Sequence, residues 1–180
     1  MSGPALQVLA RARWPEPEDG ELPRIAGFVV SSFNPLVVEC AERCLRAWYG
    51  EPPVAGSPRV AVLLVSASGD LGTARAIEEA VAAGRRVPPL LFFQSNPNAV
   101  LGHVAARWGL TGPVLALGAV LGPPLGPVLE PVPGSSPAGL AEAALLLADG
   151  DADLVLLITA EQAEQPGERD RAGALLPGPA

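Results

Sequence analysis

Two hydrophobic periods alternate along the chain. Val60 to Val65 is an unbroken apolar run of strand length, and Asp153 to Ile158, apolar from Leu154 on, reads as the last buried strand. Arg24 to Ser31, Pro89 to Phe93 and Val114 to Leu117 also suit strands. Helical segments are expected between them. Asn34 to Trp48 opens with Asn34 as N-cap and Pro35 at the first helical position. Asp70 to Arg85 carries Ala74, Ile77, Ala80 and Val81 on one stripe. Asn98 to Trp108 is stopped by Gly109, and Ser136 to Asp149 pairs a serine cap with Pro137. Strands separated by helices of this length predict an α/β fold: a mostly parallel central sheet flanked by helices on both faces. Val60 to Val65 and Leu154 to Ile158 should be its most buried strands.

The ends carry neither period. Residues 1–23 are rich in Pro and Glu and read as an irregular lead-in, and residues 163–180 read as a disordered tail. Residues 24–162 are left as the folded domain. Within it, residues 118–134 are a Gly/Pro-rich loop.

Composition narrows the partners. Net charge is −7, and every basic residue is Arg. An acidic chain without a basic patch argues against nucleic acid or an anionic membrane surface. No apolar run reaches the ~18 residues of a membrane span, and Met1 to Glu16 lacks a signal-peptide pattern. The expected compartment is therefore the cytoplasm. Apolar residues make up 49% of the chain but aromatics only 4%, so the core must be aliphatic.

Candidate chemistry is sparse. Cys40 and Cys44 are four apart on a helix; a zinc site would need two more ligands, and His103 is the chain's one histidine. Both cysteines read as small core residues. The turn Ser66-Ala67-Ser68-Gly69-Asp70-Leu71-Gly72 offers backbone N–H groups to an anion, or is a plain strand-to-helix turn capped by Ser68 or Asp70. Ser135 and Ser136 stand at a helix start, where backbone donors could stabilise an oxyanion, but Ser136 already serves as N-cap, the one His lies inside a predicted helix, and there is no G-x-S-x-G elbow. The acidic groups Glu78/Glu79 and Asp149/Asp151/Asp153 suit solvated surfaces. No nucleotide-binding glycine fingerprint occurs, and without Lys there is no P-loop. No cofactor and no metal is expected.

One segment is more specific. Gln94 to Pro113 (QSNPNAVLGHVAARWGLTGP) resembles the β-ketoacyl synthase segment that precedes the catalytic cysteine, with Asn98, Gly102, His103, Gly109, Leu110, Gly112 and Pro113 matching its pattern. Ala141 to Asp153, then Leu154-Val155-Leu156, resembles the helix, turn and strand that follow that cysteine, and Glu161 falls where the family often has Gly-Gly-Ala-Glu. The resemblance covers roughly residues 24–162. It implies a thiolase-like half-fold. The family's enzymes condense an acyl group with a malonyl unit on acyl carrier protein, using a cysteine at a helix N-terminus and two histidines from a second half.

The pattern is broken where the chemistry should be. Counting forward from Pro113 at the family's spacing reaches Leu121, and counting back from Gly150 reaches Pro133; no Cys or Gln lies between. The sequence ends where the second half is expected. The resemblance therefore implies a non-catalytic β-ketoacyl-synthase-like protein, a partner or accessory subunit in polyketide or fatty-acid biosynthesis, with no catalytic residues of its own. The alternative is an acyltransferase subunit whose active site a partner chain completes. Expected partners are a second copy, a full-length β-ketoacyl synthase, or acyl carrier protein. The family places the matching segment near its dimer interface, so Asn98, Gly102, His103, Trp108, Gly109, Gly112 and Pro113 are the expected interface residues.

Overall fold

The computed structural model describes residues 6–118 and 136–180. The 118–134 loop lies outside them except for its first residue, Gly118. Five strands form one sheet: β1 (Leu6–Trp14), β2 (Val60–Ser66), β3 (Val114–Gly118), β4 (Leu154–Glu161) and β5 (Arg171–Pro179). Their spatial order is β1-β5-β4-β2-β3. β2 runs parallel to both β3 and β4, whereas β5 runs antiparallel to both β4 and β1. The helices are α1 (Phe33–Tyr49), α2 (Leu71–Ala82), α3 (Pro89–Ser95), α4 (Pro97–Trp108) and α5 (Pro137–Ala148).

The sheet is covered on both faces, and strand alternation divides the core accordingly. Val60, Val62 and Leu64 of β2 join Leu156 and Ile158 of β4 beneath α1 and α4. Ala61, Leu63 and Val65 join Val155 and Leu157 beneath α5. All seven residues of β2 are buried, as its unbroken apolar run predicts. α1 seals the first face with Phe33, Leu36, Val37, Cys40, Cys44 and Leu45, recurring at three- and four-residue intervals.

Leu6–Trp14 and Arg171–Pro179 are strands, which corrects the irregular lead-in over its first described residues and the disordered tail over 171–179. β5 is the interior strand between β1 and β4, and Ala172 through Gly178 are buried. Its prolines hid it. Pairing with β4 stops at Leu175, so Pro177 and Pro179 face only β1, where a missing N–H costs least. β1 is an edge strand with a register shift between Val8 and Arg11, and it mixes Arg11 and Arg13 with inward Ala10 and Trp14. Charge on an edge discourages further pairing and blurs the apolar pattern.

Two expected strands are absent. Pro89 to Phe93 lies in α3: Pro89 occupies its first turn, and only Leu91 and Gln94 turn inward, at helical spacing. Arg24 to Ser31 forms a single bridge between Ile25 and Phe28, because Gly27 at φ 86° reverses the chain. α1 begins two residues early, with Ser32 rather than Asn34 at its N-cap position, so Asn34 is inside the first turn. Asp70, Asn96 and Ser136 cap α2, α4 and α5 by accepting from Thr73, Asn98 and Gly139 N–H groups. Val81, expected on the inward stripe of α2, is 64% exposed.

An ion pair ties the segment after β1 to α1. Arg43 donates from Nη1 and Nη2 to the two Asp19 carboxylate oxygens at 2.7 Å each, and its guanidinium lies over the Trp14 ring. Those hydrogen bonds hold Asp19 at about 2, below the ordinary 3.8. A depressed carboxylate stabilises the fold above its ordinary value and loses that contribution as pH falls toward the folded value. Asp19→Asn should therefore lower the melting temperature by a few degrees at pH 7, and the gap should close between pH 4 and about 2. Thermal melts of both proteins across that range check it.

Candidate functional site

The carboxyl ends of parallel strands are where an open α/β sheet presents its loops and usually its ligands. Here β2 ends at Ser66 and β4 at Glu161, side by side. The Glu161 carboxylate reaches across to the Ser66–Gly72 turn. It accepts from the Ala67 N–H, the Ser68 N–H at 3.2 Å, the Ser68 hydroxyl at 2.7 Å and the Ser66 hydroxyl at 3.4 Å. The turn thus does hold an anion on backbone donors, and the anion is the chain's own side chain. Gln162 continues the closure: its Oε1 accepts from Gly72 N–H, and its Nε2 donates to the Ser31 and Ser32 hydroxyls.

A cavity of about 160 Å³ lies alongside, between the first turn of α1, the ends of β2 and β3, and the end of α3. Phe33, Leu64, Pro97 and Ala116 give it apolar walls; Asn34, Ser66, Asp70 and Gln94 bring polar groups. Asn34 and Gln94 are each 1% exposed. Asn34 Nδ2 donates to Asp70 Oδ2 at 3.1 Å and to the Gln94 carbonyl at 3.3 Å. Asp70 also accepts from the Thr73 N–H and hydroxyl.

The seven expected interface residues separate into two groups. Trp108 is fully buried, its Nε1 donating to Glu42 Oε1 at 2.8 Å, so its side chain is not on a surface. Gly109 ends α4 in the left-handed conformation at φ 69°. Gly112 passes against the β2 backbone at Val60 and Ala61, and the Pro113 carbonyl accepts from Val62 N–H. These four positions shape the fold. Asn98 is exposed, and Gly102 and His103 are half-buried. The His103 ring meets the Phe28 ring edge-on at 5.8 Å.

Glu42 was not singled out by the sequence, yet it organises this side of the molecule. Only 9% exposed, it accepts from Arg107 Nε at 2.6 Å and Arg46 Nη2 at 3.2 Å as well as from Trp108. Arg46 is its i,i+4 neighbour on α1, an ordinary surface pairing in sequence; what buries Glu42 is Arg107 and Trp108, from a helix 65 and 66 residues away.

Cys40 and Cys44 are both fully buried and free. Burial raises the Cys40 thiol strongly and pushes Cys44 up to about 12. Neither is a nucleophile in the folded protein. An aromatic disulfide reagent at pH 8 should label no thiol in the native state and both in denaturant; absorbance of the released thiolate checks it. Among the described residues no cluster of three His, Cys, Asp or Glu could hold a metal. Ser136 is committed to its cap, and Ser135 lies outside the described residues. Among the described residues no helix is long and apolar enough to cross a membrane.

Solved structures share this architecture. A ketosynthase in complex with its chain length factor from Xenorhabdus doucetiae superposes at TM-score 0.67 and 19% identity, covering 97% of this chain and 79% of that one. A β-ketoacyl synthase from Burkholderia phymatum gives 0.65 at 16% identity, over 93% of this chain and 47% of that one. The ishigamide ketosynthase/chain length factor gives 0.63 at 20%, over 91% and 49%. The chain thus spans about half the length of the latter two. No family model and no curated protein matches the sequence. The fold is the thiolase-like α/β fold of ketosynthases and chain length factors, as the Gln94 to Pro113 segment implies.

Proposed function

We propose that this chain is a non-catalytic, ketosynthase-like partner subunit in polyketide or fatty-acid assembly. The observation that carries the reading is a ketosynthase-type fold in a chain whose only two thiols are sealed inside α1. Condensation by this family's route needs a thiolate that can reach an acyl group, and this chain offers none. The similar structures from Xenorhabdus and from the ishigamide system are ketosynthases with chain length factors, and a further one is a ketosynthase with an acyl-carrier protein. Pairing with a complete synthase, or with a second copy, fits that company.

The surface beside the matched segment supports association. Leu90, Phe92 and Phe93 of α3 are 45%, 61% and 53% exposed, and Val29 and Val30 lie exposed nearby in the loop that Gln94 bonds. Aromatic side chains clustered in the open mark a contact surface more often than a solvated one. β3 is the other edge strand of the sheet as described, next to α4. The alternative, an active site completed by a partner, draws nothing from the Ser66–Gly72 turn, whose donors Glu161 already takes.

Co-expression with complete β-ketoacyl synthases of the same organism tests the reading. The chain should co-elute with one of them, or self-associate, and Phe92→Asp with Phe93→Asp should split the assembly while leaving a folded chain. Alone it should form no β-ketoacyl product from acyl and malonyl carrier proteins. A stable monomer at high concentration that captures no synthase, or turnover by the isolated chain, overturns it.

A further inference from the structure

We infer that the hollow between α1, α4 and residues 23–26 binds the phosphate group of a small organic phosphate monoester. The inference needs no partner chain and stands apart from the reading above. This hollow shares no lining residue with the cavity at the strand ends and measures about 440 Å³. Four of the chain's 12 arginines line it: Arg24, Arg43, Arg46 and Arg107. His103 lines it as well, four residues before Arg107 and so on the same face of α4. A chain of net charge −7 thus gathers four guanidinium groups in one place.

Which of those donors are already used decides what the hollow can hold. The carboxylates in its wall, Glu39 and Glu42, are both paired. Glu39 accepts from Arg43 Nε at 2.8 Å, and Glu42 accepts from Arg107 Nε, Trp108 Nε1 and Arg46 Nη2. Arg43 has nothing left, because its Nη1 and Nη2 go to Asp19. Arg46 gives its other terminal nitrogen to Glu51. Two guanidinium groups remain. Arg24 is exposed and bonds no described residue. Arg107 uses only Nε, so Nη1 and Nη2 are open on a side chain 47% exposed. The half-buried His103 ring also has no hydrogen-bond partner among the described residues. All three groups can therefore be reached from solvent, and they come from two separate elements.

That donor set matches phosphate better than carboxylate. One arginine fork satisfies both oxygens of a carboxylate, whereas the three terminal oxygens of a phosphate monoester take donors from two arginines and an imidazole N–H. Its two negative charges also answer the two guanidinium groups left over. Ile25, Ala26 and Val38 give the same hollow an apolar wall, which suits an organic body on the ester oxygen. An engineered cavity of ~150 Å³ holds benzene, so about 440 Å³ has room for a ring beside the phosphate.

The test uses the full chain and phenyl phosphate, with benzoate as the flat, singly charged counterpart. His103 is the chain's one histidine, so its imidazole protons give an unambiguous NMR reporter at the hollow. At pH 8, with ionic strength held by chloride, phenyl phosphate up to about 10 mM should shift that signal saturably and raise the melting temperature by a few degrees. Benzoate should bind at least tenfold more weakly. Arg24→Ala should weaken phenyl phosphate at least tenfold and leave the unliganded melting temperature unchanged, because exposed Arg24 has no bond to lose. A His103 signal that phenyl phosphate does not move overturns the inference. So does benzoate binding as tightly as phenyl phosphate, which would mean that the hollow only collects negative charge. Full affinity in Arg24→Ala overturns it too, by placing the ligand elsewhere.

Discussion

Gly112→Ala is expected to destabilise the protein by about 3 kcal/mol, at the upper end of ordinary overpacking. A Cβ at this position would stand 2.4 Å from the Val60 carbonyl carbon and 2.5 Å from both Val60 O and Ala61 N. Those are backbone atoms of β2, so no side-chain rotamer can relieve the clash. β2 cannot retreat, because β3 and β4 pair with it on either side. The segment carrying Gly112 cannot retreat easily either. Thr111 N–H donates to the Pro58 carbonyl and the Pro113 carbonyl accepts from Val62 N–H, fixing it on both flanks. Denaturant titration measures the change. A loss under about 1 kcal/mol would mean that this crossing is far softer than its geometry.

That expectation also explains the most family-like stretch of the sequence. Gly109-Leu110-Thr111-Gly112-Pro113 is a packing device: a left-handed helix stop, a buried leucine, and a glycine laid on a strand. A chain can keep such a stretch for its fold alone. Here it precedes residues 119–135, whose sequence holds no Cys.

How far the structure was legible depended on whether a pattern was local. β2 and β4 were readable because strands buried on both faces need continuous apolar sequence, and each supplies it. The caps Asp70 and Ser136 were readable because the cap and the amide it serves lie three residues apart. β1 and β5 were not. β1 is held by pairing with a strand from the other end of the chain, β5 by that strand and β4 together, and Arg, Gly and Pro dilute the pattern that remains. α3 was misread because a five-residue apolar run has no period of its own, and the burial of Leu91 and Gln94 decides it only in three dimensions. The site followed the same rule. The Ser66–Gly72 turn was visible as a possible anion cradle, but its occupant comes from 93 residues downstream. Asn34 read as a helix cap, the common use of Asn before Pro; the helix starts two residues earlier and frees the side chain for Asp70.

Removing the occupant of that cradle should have the second large effect. Glu161→Ala takes the acceptor from two backbone N–H groups and two hydroxyls at once. Hydrogen bonds to a charged acceptor are worth roughly 1.5–3 kcal/mol each, and water entering the partly exposed turn recovers part of the total, so a net loss of about 2 kcal/mol is expected. The damage should be local. β2 and β4 remain paired through Val65 and Thr159, while the turn that starts α2 loses its tether. Glu161→Gln keeps one acceptor oxygen but brings an NH₂ group toward donors, so it should recover less than half of the loss. The distinguishing result is chemical rescue. The vacated turn still presents the Ala67 and Ser68 N–H groups, so acetate at about 0.1 M should restore part of the melting temperature of Glu161→Ala while leaving wild type unchanged. Chloride at equal ionic strength supplies the control for screening. An alanine variant as stable as wild type, or one that acetate and chloride rescue alike, would show that the turn holds its shape without a bound carboxylate.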